Sequence, residues 1–300
     1  MPEHYLGIDP GWSESDDTTG LCLITIDQTE FRWELRNTTS RTRQRLVDLR
    51  RLICHHTNLQ GVGIDGPLAS GLRVVSCYRA AEALLNRGLL RERCKLGQTH
   101  SGNGQHLHHQ ASLLANLLLR LQSEGRLDLA AAHHPEAIHG SCVVEAYPDA
   151  FLAFLLSDRD FDERQGENED DERSDRYWEI AVSNGYLHDL IERFAPSRLL
   201  EQCLNDITHH EHRAAFVCAL SAMCVSRGDY VAAGAPECGD IILPPRKIWG
   251  ADAAGQGSWA KPALRENVRT VRNDDGQKNP CQNFNQARVI SNGQQWMPEP

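Results

Sequence analysis

Paired cysteine motifs, long apolar runs and an excess of positive charge are all missing from this sequence. Its 10 cysteines include no Cys-x-x-Cys pair, and several lie in apolar surroundings, as in Leu21-Cys22-Leu23 and Val217-Cys218-Ala219. That pattern speaks against a zinc ribbon or a dithiol redox site. It reads as buried, reduced thiols of a cytoplasmic protein. The 14 histidines cluster at His55-His56, His106/His108/His109, His133-His134 and His209-His210/His212, but none has zinc-finger or His-Glu-x-x-His spacing. No apolar stretch approaches the roughly 18 residues needed to span a membrane. The chain enters an apolar strand at once, so no signal peptide is expected and no membrane partner is implied. A formal net charge of −10 argues against a surface that coats nucleic acid indiscriminately. More than half of that charge is local, because Asp158–Arg176 alone contributes −6. Nucleic acid therefore stays open as a partner.

What is present is an ordinary globular composition, 40% hydrophobic and 24% charged over 300 residues, enough for one large domain or two small ones. His4–Ile8, Gly20–Ile26 and Phe31–Arg36 read as three strands joined by short connections, an antiparallel meander. Arg41–His55 has helical spacing, with Leu46, Leu49, Leu52 and Ile53 on one face. Val62–Ile64 follows as a buried strand, and the strand–helix–strand order places it parallel to the first. Helices are expected over Val75–Leu90 and Leu107–Gln122, separated by a polar loop at Gly97–Gln105. Cys142–Glu145 is a further strand, and Pro148–Leu156 a helix that opens on proline. Tyr177–Phe194, Pro196–Cys203 and His210–Ser226 read as helices, and Asp240–Leu243 as a last extended segment. The class is α/β. The sequence divides into a domain over residues 1–248, interrupted by an acidic low-complexity insertion at 158–176, and a polar, weakly structured tail over 249–300. No internal repeat is evident.

Four carboxylates stand out by position. Asp9, Asp65 and Glu145 each end an expected strand, and Glu211 opens the late helix. Strand ends and a helix start converge where α/β sheets bind ligands. Carboxylates gathered there need cations to neutralise them, and oxygen-only ligands suit Mg²⁺ or Mn²⁺. Blander roles exist for each. Asp9 before Pro10-Gly11 and Asp65 before Gly66-Pro67 suit turns, Glu145 could pair with Arg79, and Glu211 could only complement its helix dipole.

Five segments carry a family resemblance. They are Gly7-Ile8-Asp9, Gly63-Ile64-Asp65-Gly66-Pro67-Leu68, Arg79-Ala80-Ala81-Glu82-Ala83-Leu84-Leu85, Glu145-Ala146-Tyr147-Pro148-Asp149-Ala150-Phe151, and the helix from Glu211 to Ala222. In order and spacing, over roughly residues 4–245, they resemble the family of predicted nucleases known as domain of unknown function 429, within the ribonuclease H-like superfamily. The resemblance implies a ribonuclease H-like mixed β-sheet, an antiparallel three-strand meander plus parallel strands, with helices on both faces. It also implies metal-dependent phosphodiester cleavage, itself an inference from fold in that family. Asp9, Asp65 and Glu211 would be the metal ligands, with Glu145 assisting. Relatives tend to carry Asp-x-x-Asp-Ala at the start of the late helix. Here Glu211 takes the first of those positions and Ala214 the second, so a ligand is missing unless His212 substitutes.

Arg79 has two readings, a phosphate contact near Asp65 or a structural ion pair with Glu82 one turn on. Arg32, Arg36, Arg41, Arg43, Arg45, Arg50 and Arg51 form a local basic region that suits a phosphate backbone or a solvated face. The favoured expectation is a Mg- or Mn-dependent nuclease. The alternatives are a non-catalytic binding or regulatory protein on the same fold and an actin-like nucleotide-binding phosphotransferase. The last lacks an evident second glycine-rich phosphate turn.

Overall fold

The computed structural model describes residues 2–53, 58–130, 142–162, 173–273, 284–292 and 294–296. Strands β1 (Glu3–Asp9), β2 (Thr19–Ile26) and β3 (Glu30–Thr38) form an antiparallel meander. The β2–β3 turn is set by Asp27, whose carboxylate accepts the backbone N–H groups of Thr29 and Glu30, each at 2.9 Å. Helix α1 (Thr42–Ile53) and the short β4 (Asn58–Leu59) lead to β5 (Gly61–Asp65), which runs parallel to β1 with Ile64 beside Ile8. Helices α2 (Ala80–Leu85), α3 (Gly88–Cys94) and α4 (Gly102–Ser123) follow, then β6 (Asp128–Leu129), which pairs with β4. Strand β7 (Val143–Ala146) lies parallel to β5 and enters α5 (Pro148–Leu155).

The remaining helices are α6 (Asp158–Asp162), α7 (Arg173–Ser183), α8 (Tyr186–Phe194), α9 (His210–Ser226) and α10 (Ala260–Asn273). The remaining strands are β8 (Leu199–Leu200), β9 (Val231–Ala235), β10 (Gly239–Leu243), β11 (Arg288–Ser291) and β12 (Gln294–Gln295). Among the described residues the main sheet has ten strands in the order β12-β11-β9-β10-β7-β5-β1-β2-β3-β8, mixed parallel and antiparallel. No described helix is long and apolar enough to cross a membrane.

Side chains alternate across each strand, and the two faces carry separate cores. Leu6, Ile8, Leu21, Leu23, Val62 and Ile64 pack with α1 and α4, whereas Tyr5, Cys22, Ile24 and Val144 lie with α5, α7 and α9. Helix α9 sits unusually close to the sheet. A Cβ on Gly7 would overlap the Ala215 carbonyl oxygen, and one on Gly63 would overlap that of Cys218. Only glycine at those positions lets the helix backbone descend to this depth.

Three expectations are corrected. The single helix at Val75–Leu90 is two, α2 and α3, because α2 starts late, at a capping box between Arg79 and Glu82, and breaks at Asn86-Arg87. Pro196–Cys203 is not helical: Ser197 has a φ of +58°, and Leu199–Leu200 adds to the β3 edge as β8. The weakly structured tail over 249–300 is also wrong for its described part. Helix α10 buries Leu264, Val268 and Val271, and β11 pairs with β9. The Asn267 amide of α10 donates to the carbonyls of Leu84 (2.8 Å) and Arg87 (3.0 Å), which satisfies the broken end of α2. The core of the acidic insertion, residues 163–172, lies outside the described residues, as do His55-His56 and His133-His134.

Candidate active site at the ends of β1 and β5

The parallel register that sets Ile8 beside Ile64 brings Asp9 and Asp65 together at the carboxyl edge of the sheet. Alternation then decides the face. Gly7 and Gly63 point at α9, so Asp9 and Asp65, two residues further, do too. Both stand at the rim with part of their surface in water, yet protein encloses them on most sides. Burial pushes the Asp9 carboxyl up to about 7, opposed by His210 and reinforced by the negative charges of Glu211 and Asp149. Burial also raises Asp65 well above the carboxylate range, with Asp9, Asp149 and Glu145 adding to it. The Oδ1 atom of Asp65 is buried without a hydrogen-bond partner. Two adjacent carboxylates of this kind hold a proton between them or are neutralised by a cation.

Glu211, in the first turn of α9, adds its negative charge near Asp9. Asp9 lies opposite Gly20 in the β1–β2 ladder, and the Glu211 backbone rests on Gly20. The α9 N-terminus therefore points its dipole at the pair, favourably for negative charge. A further acid, Asp149, stands with Asp9 and Asp65, although the strand-end pattern did not single it out. It is the second residue of α5, accepts a hydrogen bond from the Ser174 hydroxyl, and is raised chiefly by burial. The signal for it was Pro148, which marks the start of a helix and so aims that helix's first turn at the sheet edge.

Glu145 and Arg79 belong elsewhere, which corrects their assignment as catalytic and substrate-binding groups. In the β5–β7 ladder Glu145 pairs with Ile64, not with Asp65, so its side chain leaves the opposite face of the sheet. There it forms a two-pronged ion pair with Arg79, Nη2 to Oε1 at 2.7 Å and Nη1 to Oε2 at 2.8 Å, and accepts the Leu68 N–H at 2.8 Å. The Arg79 Nε is bound to Glu82 (2.9 Å) and Thr99 (3.0 Å), and Nη1 also reaches the Cys238 carbonyl (3.2 Å). This guanidinium is buried and its donors are engaged within the protein. His212 is also displaced from its expected role. Its ring packs against His209 at 5.3 Å, Nε2 is buried without a partner, and burial lowers its pKa. The histidine whose charge acts on Asp9 is His210.

Part of the arginine-rich region is structural as well. Arg36 pairs with Glu34, Arg32 with Asp27, and Arg51 with Asp48. Arg45 is buried, and it donates to the Gly11 carbonyl and to the Thr19 hydroxyl. It thereby fixes the loop that follows Asp9.

No three His, Cys, Asp or Glu side chains among the described residues come close enough to hold a metal ion. The expected ligand set Asp9, Asp65 and Glu211 is thus assembled only as the Asp9–Asp65 pair with Glu211 nearby. Ala222 faces Gly61 and Cys218 faces Gly63. Two strand residues advance ~6.6 Å and four helix residues ~6 Å, so the next pairing in that row is Ala214 over Asp65. A small apolar residue therefore stands over Asp65.

On the other side of the same edge, a cavity of about 190 Å³ is lined by Trp12, Pro67, Leu96, Leu107, Tyr147 and Ile241, with Arg79 and Glu145 also in its wall. The chain matches no family model, no curated protein and no solved structure.

Proposed function

We propose that this chain is a ribonuclease H-like, Mg²⁺- or Mn²⁺-dependent nuclease with the Asp9–Asp65 pair at its centre. One observation carries the reading. Two strand-end carboxylates are held side by side at a cost, and the Oδ1 of Asp65 is left without a hydrogen bond. The residues present fit a divalent cation in that respect, since a cation would remove the repulsion and supply the missing partner. The meander, the parallel strands β5 and β7, and helices on both sheet faces agree with the family resemblance.

A cation bound there would supply Lewis-acid stabilisation of the phosphate and an activated water. The protein's own part is positional. Asp9 and Asp65 would hold the cation from β1 and β5, and the α9 N-terminus would favour the negative charge of the pair. Asp149, raised chiefly by burial, adds a third acidic group beside the pair.

Calorimetric titration of Mn²⁺ into the wild type, Asp9→Asn and Asp65→Asn is the test. Heat of binding in the wild type that disappears in both variants is expected, and identical isotherms overturn the reading. Cleavage of single-stranded, duplex, hybrid and branched substrates then separates enzyme from binding protein. Among the described residues no third ligand gathers with the pair, which favours a second reading, a non-catalytic binding protein on this fold. It predicts neither metal uptake nor cleavage by the wild type. Ala214→Asp distinguishes the two further, because under the nuclease reading it tightens Mn²⁺ binding by completing the group over Asp65.

A further inference from the structure

The cavity beside the carboxylate pair is built from the continuations of the same two strands. Trp12 follows Asp9 by three residues, and Gly66 and Pro67 follow Asp65 directly. Tyr147, which caps α5, lines the cavity and feels the charges of both Asp149 and Asp65. The cavity therefore lies at the same sheet edge as the pair.

Trp12 is 53% exposed, a large apolar ring left in water at the cavity mouth. Its loop has not collapsed because it is tied down. The Thr19 hydroxyl accepts the Gly11 N–H at 3.1 Å, and Arg45 holds the Gly11 carbonyl. Leu96, Leu107 and Ile241 supply an apolar wall, and the side-chain amides of Gln98 and Asn103 sit exposed at the rim. One side of the cavity is the Arg79–Glu82–Glu145 network, one cation against two carboxylates with the guanidinium already engaged. That wall attracts no anion, so a phosphate or acidic sugar is excluded. A volume of about 190 Å³ is below the roughly 300–1,000 Å³ of sites for drug-sized ligands and suits one ring system. An aromatic at the mouth, an apolar wall, neutral amides at the rim and no free positive charge describe a receptor for a neutral planar heterocycle with a polar edge.

We propose that this cavity receives one nucleobase of a nucleic-acid strand whose phosphate lies at Asp9 and Asp65. The substrate is then single-stranded or locally unpaired, because a base stacked in a duplex does not reach it. The position of the phosphate rests on the nuclease reading, and the base pocket does not.

The test is fluorescence anisotropy of a labelled single-stranded DNA 10-mer in EDTA, with the same sequence as a duplex for comparison. The wild type is expected to prefer the single strand. Trp12→Ala should weaken single-strand binding about 5- to 150-fold, the range that base–aromatic stacking supplies, and Trp12→Phe should restore most of it. Gly97→Leu is a second variant. It adds bulk at a residue of the cavity lining where a Cβ meets nothing within 4 Å, so the substitution is accommodated, and it should weaken binding similarly. No single-strand binding by the wild type, equal affinity for the duplex, or unchanged affinity in both Trp12→Ala and Gly97→Leu overturns the proposal. Because EDTA removes cations, failure here leaves the Mn²⁺ titration of Asp9→Asn to stand or fall separately.

Discussion

Asp9 is a residue that weakens the fold it belongs to. Its carboxyl titrates near 7 in the folded protein and near 3.9 in the unfolded chain, so the folded state binds the proton more tightly. Stability from this group is therefore full below about pH 4 and is lost as pH rises through 7. In EDTA, Asp9→Asn should stabilise the protein, more so at pH 8 than at pH 5, with a difference of about 1–3 kcal/mol after allowing for partial exposure. Urea denaturation at the two pH values measures it, and an equal effect at both would show that the carboxyl is not strained. Arg79 has the opposite character. Arg79→Met leaves Glu82 and Glu145 buried without their cation and should cost about 3–5 kcal/mol. Adding Glu145→Gln to that variant should recover part of the loss in the same denaturation experiment. The sequence left both roles of Arg79 open. The ion pair was decided by burial, which makes an unpaired guanidinium too costly to keep for a ligand.

At the scale of elements, the site depends on how closely α9 lies on the sheet. The strands and α9 itself were legible, because each has the right period and length in the sequence. The glycines of β1 and β5 were legible as residues but not as the groove they form. Gly63→Ala drives a methyl group into the Cys218 carbonyl and should lift α9, costing about 1–3 kcal/mol in thermal or chemical denaturation. Because Asp65 follows two residues later on the same face, the same variant should also weaken Mn²⁺ binding under the nuclease reading. The break between α2 and α3 was not legible. The capping groups that begin α2 are local, but Asn267, which satisfies its end, lies about 180 residues away in sequence.

At the scale of the whole molecule, the C-terminal segment changes the description most. Its polar composition reads as a tail, yet the amphipathic α10 closes over α2 and α3, and β11 covers the edge of β9. Burying Leu264, Val268 and Val271 contributes roughly 1.5–3 kcal/mol each, a sum comparable to the entire stability of an ordinary domain, about 5–15 kcal/mol. A chain ended after residue 248 should therefore lose the cooperative melting transition of the full chain in calorimetry. Retention of that transition would show that the segment is an accessory.

The sequence by itself determined the α/β class, the meander, the parallel crossover, and the placing of Asp9 and Asp65 at neighbouring strand ends. These follow from local periodicity and from turn residues that stop a strand. Only the tertiary structure decided which carboxylates share a face. Glu145 reads as the end of its strand, but β7 runs one residue further, to Ala146, and that one-residue difference in register sends Glu145 through the opposite side of the sheet to Arg79, while Asp149 comes from a helix start to stand with Asp9 and Asp65. Strand ends can be read from a sequence. Register between strands far apart in the chain is set by long-range pairing, and it alone fixes the direction of each side chain.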